Sequence, residues 1–277
     1  MYIIKIGGGA AIDEAAFGRF AADLAQLQAD GLLFVLVHGA NAEFSRLSTA
    51  LGIPPRMVTN DKGRISRYTD RETIDAMLMA YCGKVNKTIV AIFQQHGINA
   101  VGLSGIDGRI ATGRRKPVLR GTEDGKSKVL RDDHAGTIEQ FDPTLVNLLL
   151  GNRYLPVLTP PALSLEEGRP INVDGDKFAL ELAMHLCADG LLFFSDTPGL
   201  LRDKDDESTL ISAIDASDRE AAIASARGRM VVKVETALKA IERGVGTVVF
   251  ADARVESPVS KALNGAGTRI AVVVATT

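Results

Sequence analysis

The chain is poor in the residues and runs that mark several common chemistries. It has two cysteines in 277 residues, Cys82 and Cys187, without metal-ligand spacing. Both fall inside expected helices, so buried thiols in a reducing compartment are expected rather than a disulfide framework. Its four histidines form no HxxxH or HxH pair, which argues against a zinc site. The formal net charge is only −2, so bulk charge points to neither a nucleic acid nor a membrane surface. No apolar run approaches the roughly 20 residues of a membrane span. Lys5 interrupts the first apolar run, which argues against a signal peptide, and a cytoplasmic location is expected. There is no GxxxxGKS/T, which excludes a Walker P-loop, and no GxGxxG, which weighs against a dinucleotide-binding turn. No internal repeat or low-complexity linker is visible.

What is present is an ordinary globular composition, 46% apolar and 24% charged. The length suits one large α/β domain or two lobes sharing a sheet. Short apolar runs at Tyr2 to Ile6, Leu32 to Val37, Asn99 to Leu103, Leu155 to Leu158, Leu191 to Phe194, Thr247 to Ala251 and Arg269 to Val274 read as strands. Helical patterns separate them: Ile12 to Ala29, a helix after Asn41, a long helix Arg71 to His96, Pro143 to Leu150, Phe178 to Cys187, Asp218 to Ala226 and Met230 to Arg243. Buried strands alternating with helices predict a three-layer αβα sandwich with a mostly parallel central sheet. Between Gly105 and Asp133, turns at Asp107-Gly108 and Asp124-Gly125 predict a β-hairpin excursion.

Phosphate could still be held by other glycine turns at helix N-termini, where free N–H groups point outward. Lys5 stands in an apolar strand with Gly7, Gly8 and Gly9 just beyond it. A buried, unpaired ammonium is costly, so this lysine is expected at the strand's end facing an anion. His38-Gly39-Ala40-Asn41 joins a strand to a helix. It reads equally well as a tight turn and as a backbone ligand site at the carboxyl end of a strand. Asn172, Asp174 and Asp176 recur every second residue, so an extended segment would turn all three to one face. The alternative is a helix start with Asp176 as N-cap. Arg67, before Thr69-Asp70, could clamp a carboxylate or lie free at the surface. Lys233 by itself reads as a solvated helix lysine. Arg109, Arg114, Arg115, Lys116, Arg120, Lys126, Lys128 and Arg131 make the hairpin a local basic patch, with Glu123 and Asp124 at its turn. The patch lacks aromatics, which disfavours single-stranded nucleic acid.

These motifs, in this order, resemble the amino-acid kinase family over nearly the whole chain. The resemblance is carried by Lys5-Ile-Gly-Gly, Val37-His38-Gly39, Asn172-Val-Asp-Gly-Asp176, Ser195-Asp196-Thr197-Pro198-Gly199-Leu200 and Gly228-Arg-Met-Val-Val-Lys233. It implies a carbamate-kinase-like fold of the acetylglutamate kinase type. Ser66 to Thr73, Tyr81 to Lys87, Gly102 to Arg109 and Gly113 to Lys116 are similar to the branch that phosphorylates 2-aminoadipate attached to the acidic carrier protein LysW, in lysine biosynthesis. The resemblance implies ATP and Mg²⁺ and an acyl-phosphate product. It also implies a homodimer, and neither nucleic acid nor membrane as partner. Lys5 and Lys233 would stabilise the transition state, with Asp176 orienting both. Gly39 and Ala40 would hold the reacting carboxylate, and Arg67 and Asn172 the rest of the substrate. Gly8, Asp196 and Gly199 would lie by the nucleotide, and Arg114, Arg115 and Lys116 would meet the carrier. Residues 1–173 would form the substrate and carrier lobe, and residues 174–277 the ATP lobe. The family often has three glycines where this chain has Gly39-Ala40-Asn41, so Ala40 can offer its N–H in the same way only with a negative φ. The implied alternatives are an N-acetylglutamate kinase of arginine biosynthesis, a kinase also accepting carrier-linked glutamate, and a non-catalytic amino-acid-binding regulator.

Overall fold

A computed structural model describes residues 1–9, 12–59, 63, 65–123, 125–203, 205–224, 226 and 229–273. Asp124, Gly228 and Val274, named above, lie outside the described residues. β1 (Tyr2–Ile6) leads to α1 (Glu14–Ala29), and β2 (Phe34–His38) to α2 (Asn41–Ala50). A hairpin of β3 (Arg56–Thr59) and β4 (Ile65–Tyr68) precedes the longest helical stretch. That stretch is α3 (Arg71–Leu78), a π-helical turn over Met79–Val85, and α4 (Asn86–Gln95). After β5 (Ala100–Ser104) come β6 (Ala111–Arg115), β7 (Val118–Glu123), β8 (Lys126–Arg131) and β9 (Gly136–Phe141). Then follow α5 (Thr144–Gly151), β10 (Leu155–Thr159), β11 (Ala162–Ser164) and β12 (Pro170–Ile171). The remainder is α6 (Gly175–His185), β13 (Gly190–Ser195), β14 (Ala213–Asp215), α7 (Arg219–Ala224), α8 (Arg229–Glu242), β15 (Thr247–Asp252), α9 (Pro258–Leu263) and β16 (Thr268–Ala271).

Eight strands make one sheet in the order β14-β16-β15-β13-β1-β2-β10-β5, parallel except where β15 meets β16. Strand residues alternate between its two faces. Ile3, Val35, Val37, Leu191 and Phe193 pack with Val146, Phe178, Leu182, Val234 and Leu238 from α5, α6 and α8. Ile4, Ile6, Leu36, Leu192 and Phe194 pack with Phe17, Phe20, Leu24, Ile89, Phe93 and Val259 from α1, α4 and α9. Burying a side chain of this size is worth about 2 kcal/mol, so both faces hold their helices firmly. This is the expected three-layer sandwich. The boundary expected at 173/174 falls inside it, because β1 and β13 are paired neighbours in one continuous sheet.

The hairpin excursion is larger than expected. β7 and β8 pair as anticipated, but β3 and β4 join them in a second sheet, β4-β3-β7-β8, and β12-β11-β6-β9 form a third. Strands of two to four residues carry too little period-2 pattern to be read from sequence. The long helix also differs, because its middle is a π turn containing Gly83. By length and composition alone, the 25 residues Arg71–Gln95 could cross a membrane, against the expectation that no run was long enough. Instead Ile74, Met77, Tyr81, Ile89 and Phe93 from this stretch are buried against the rest of the fold. The cysteines depart from expectation too. Cys187 lies just past α6 with φ 48° and is exposed, while Cys82 is half-buried in the π turn.

Candidate active site

The site is built at the carboxyl ends of β1 and β2, near the middle of the sheet. Lys5 follows Ile3 and Ile4 with strict alternation, so it points to the face covered by α6 and α8. There its Nζ meets Asp176 Oδ1 at 2.6 Å. Asp176 stands in the first turn of α6, where the helix dipole favours a carboxylate. Asn172, Asp174 and Asp176 therefore do not share an extended face. Asp174 is the N-cap, accepting from Lys177 N at 2.9 Å, and Asp176 is already helical.

Lys233, on α8, enters the same cluster from the other side. A cleft of about 100 Å³ is lined by Asp174, Asp176, Phe193, Lys233 and Phe250. Lys233 Nζ stands 5.6 Å from the centre of the Phe250 ring. Burial lowers its pKa from the usual lysine range, Asp176 opposes that shift, Lys5 adds to it, and Asp196 opposes it. Asp176 thus pairs directly with Lys5 and acts on Lys233 only at longer range. Removing water from a lysine in this way strengthens its pull on any anion that enters.

The two glycine turns interlock. Gly7 N donates to Phe194 O, Gly39 N to Ile6 O, and Ala42 N to Gly8 O at 2.9 Å. A Cβ at Gly8 would overlap the Ala40 nitrogen and lie 2.7 Å from Asn41 N, and one at Gly39 would lie 2.9 Å from Gly8 N. Glycine is required at both positions by this close approach. It also corrects the expectation for Gly39, whose N–H is already held by Ile6 and is not free for a carboxylate. Ala40 has φ −147°, so its methyl costs nothing and its N–H is available to the turn. The larger cavity, about 190 Å³, lies among α1, α2 and the π turn, backing these glycines, and its lining does not include the Lys5–Asp176 pair.

Arg67 reaches back from β4 toward α2. Its guanidinium lies 4.2 Å from the Phe44 ring centre, and Nη2 donates to Asn41 Oδ1 at 3.2 Å. Its Nε is buried without a partner among the described residues, a donor left open to a ligand. Tyr81 donates to the same Asn41 Oδ1 at 2.8 Å, and burial pushes its phenol upward from the usual range. Asn41, Phe44 and Tyr81 were not singled out as site residues. Only the turn position of Asn41 carried a signal, because the π turn that presents Tyr81 has no sequence period of its own. Asn172 donates from Nδ2 to Thr69 Oγ1 at 3.1 Å. Thr69 N is in turn held at 3.0 Å by the buried carboxylate Asp133.

Three other expected positions separate. Asp196 is exposed beyond β13, whereas Gly199 is buried, with a Cβ there falling 2.7 Å from both Leu210 Cδ1 and Thr268 Oγ1. Close packing accounts for the glycine at that position. Arg114 and Lys116 are exposed, but Arg115 is not a free cation. Its Nε donates to Asp133 O at 2.8 Å, Nη1 to Glu167 Oε2 at 2.8 Å, and Nη2 to Asp132. A buried, fully bonded arginine holds the base of the hairpin and cannot also greet a partner. No cluster of three metal-ligating side chains occurs among the described residues. A magnesium ion here would arrive on the nucleotide's phosphates, its usual mode of binding to such sites.

The profile of the amino acid kinase family matches residues 1–252. The chain belongs to that family. A LysW-aminoadipate kinase of Deinococcus radiodurans is 50% identical over 268 residues, 97% of this chain and 90% of that protein. A LysW-aminoadipate kinase of Thermus thermophilus is 47% identical over 97% of this chain and 99% of its own length. An acetylglutamate kinase of Methanothermobacter thermautotrophicus is more distant, 34% identical over 92% of this chain and 86% of its own length. Among solved structures, a carbamate kinase from Giardia superposes with a TM-score of 0.66 at 15% identity, covering 98% of both chains. At that identity it supports the fold alone, and the carbamate-kinase-like architecture is the one expected.

Proposed function

We propose that this protein uses ATP to phosphorylate the side-chain carboxylate of 2-aminoadipate attached to the acidic carrier protein LysW. The carboxylate oxygen attacks the γ-phosphorus, the bond from that phosphorus to the β,γ-bridging oxygen breaks, and ADP leaves behind an acyl phosphate. The attacking carboxylate is already ionised at neutral pH, so no general base is required. Catalysis then rests on alignment and charge neutralisation. Lys5 and Lys233 supply positive charge from two sides, with Asp176 holding Lys5 at 2.6 Å. The Ala40 N–H and the uncapped start of α2 face the incoming carboxylate. Arg67 and Asn172 hold the remainder of the substrate. The nucleotide approaches from residues 174–277, past Gly8 and Asp196, and brings its magnesium with it.

One observation carries the choice of a carrier-bound substrate. Arg67 pairs with Met57 across β3 and β4, so both lie on one face of the outer sheet. Thr59 sits opposite both Ile65 and Thr122, Arg120 opposite Val129, and Val118 opposite Arg131. Met57, Ile65, Val118 and Val129 are exposed large apolar residues, and Arg120 and Arg131 are exposed beside them. This mixed apolar and cationic face runs straight to the substrate clamp. A free amino acid has no use for it, whereas an acidic protein would be drawn to it and held. Arg114, beside Glu139 at 3.3 Å, and Lys116 are exposed at the end of β6 in the neighbouring sheet and add cationic groups for the carrier. Paired chains along the long helical stretch, where Met79 is 55% exposed, complete the reading as a homodimer.

The deciding experiment compares ADP release with carrier-linked aminoadipate, carrier-linked glutamate and free N-acetylglutamate. Turnover with the first and little with the last is expected. Efficient turnover with N-acetylglutamate and none with either carrier conjugate would replace this reading with that of an acetylglutamate kinase.

A further inference from the structure

His38 is the last residue of β2 and is completely buried. The mechanism above gives it no task, and a core histidine satisfied by its neighbours would need none. Its partners, however, are arranged in one direction. Lys87 Nζ donates to Asn86 Oδ1 at 3.2 Å, and Asn86 Nδ2 donates to Val157 O at 3.0 Å and faces His38 Nε2 at 3.1 Å. With its oxygen turned to the lysine, Asn86 can only donate to the imidazole. Nε2 is then the bare nitrogen and Nδ1 carries the proton. Nδ1 lies 3.2 Å from the carbonyl oxygen of Gly39, the next residue. The imidazole is neutral, since burial lowers its pKa to about 4.

That last bond acts on the peptide unit linking Gly39 to Ala40. In a trans peptide the carbonyl and the N–H point in opposite directions. With the Gly39 carbonyl drawn to the imidazole, the Ala40 N–H is turned away from it. The preceding peptide is fixed as well, by Gly39 N to Ile6 O at 3.1 Å and by Thr159 Oγ1 to His38 O at 3.1 Å.

We propose that His38 is a positioning residue: its Nδ1–H holds the Gly39 carbonyl and thereby aims the Ala40 N–H at the acceptor carboxylate. The proposal rests on the assignment of the Ala40 N–H to that carboxylate in the function proposed above. His38 touches neither substrate nor nucleotide. The arrangement also explains why an alanine serves at position 40. The turn needs no third glycine once the peptide plane is set by a side chain behind it.

The test exploits two variants that each keep one ring nitrogen's place. Asparagine can put its amide N–H near the position of Nδ1, and glutamine near that of Nε2. H38Q should lower kcat roughly 10- to 100-fold with KM for MgATP within about twofold, and H38N should recover kcat to within about threefold of wild type. The Ala40 amide resonance should hold its wild-type position in H38N and move in H38Q. Equal kcat in the two variants, or an unmoved Ala40 amide in H38Q, would overturn the proposal. Should both variants fail to fold, the nitrogen spectrum of the wild-type imidazole that stays neutral at pH 5 decides. An Nδ1–H tautomer supports the proposal and an Nε2–H tautomer refutes it. A wild-type enzyme without turnover on the carrier conjugate would instead refute the proposed function, and the tautomer would still decide whether His38 sets the peptide plane.

Discussion

The Lys5 end of the central sheet and the outer sheet of β3, β4, β7 and β8 handle the same anionic substrate in opposite ways. At the first, two lysines and a carboxylate are partly or mostly removed from water, and two glycine turns meet so closely that neither tolerates a Cβ. At the second, cations stand in solvent among exposed apolar side chains, and some are already neutralised, as Arg56 and Lys128 are by Glu123. The difference follows from dielectric. A charge deep in the fold acts strongly over a short distance on a group held still, while an exposed charge acts weakly but over a wide area. The inner region is suited to transition-state charge, and the outer one to encounter.

The largest expected effect tests the inner region. Lys5→Ala and Lys233→Ala should each reduce kcat by about 100-fold or more with the melting temperature little changed, the scale seen when a charge-stabilising donor is lost. Wild-type turnover from either variant would remove that lysine from the chemistry. Gly8→Ala comes next. Its methyl would have to displace the Ala40–Asn41 backbone, so a loss of about 1–3 kcal/mol of stability is expected, with activity falling alongside. An unchanged melting curve would show that the turns are looser than described.

On the outer sheet, the double reversal Arg120→Glu, Arg131→Glu should raise KM for the carrier conjugate about tenfold and flatten its salt dependence, leaving kcat and the KM for MgATP alone. A fall in kcat with KM intact would erase the division between the two regions. Arg115→Ala should behave differently from its neighbours. It removes the partner of Asp132 and the nearer of the two arginines beside Glu167, so it should lower thermal stability, whereas Lys116→Ala should not. A further effect concerns pH. His38 has a folded pKa of about 4 against 6.5 for the free side chain, so the unfolded chain binds more protons between those values. Stability should therefore rise with pH across that window and be lost on acidification, by up to about 3 kcal/mol. Lys87 contributes to that depression, and H38N should abolish the dependence.

Much of the inner region was legible in the sequence. Lys5 has the parity of Ile3 in an apolar strand, and that alone sends it to the α6 face. The glycines after β1 and β2 mark turns at carboxyl ends of neighbouring parallel strands, where such sheets place their ligands. Asp174 and Asp176 were legible as a helix start, but not which of the two caps it, since either spacing satisfies the rule until the helix begins. The outer sheet was far less legible. β3 and β4 have four residues each, with only Val58 and Tyr68 buried, too short for a period to show. Arg115 looked like one more cation among many in the patch. Its burial depends on Asp132, Asp133 and Glu167, contributed by segments 17 to 52 residues away.

By itself the sequence determined the alternation of apolar strands and helices, the face to which each strand residue turns, and the residue types gathered at the ends of β1 and β2. These follow from local periodicity and from the cost of burying an unpaired charge. Only the tertiary structure decided which groups meet. It set Asp176 against Lys5 but not directly against Lys233, locked Gly8 into Gly39, occupied Arg115 internally, and placed the His38 ring on the Gly39 carbonyl. Such choices depend on distances between segments far apart in the chain, and those distances are fixed only when the sheet closes around them.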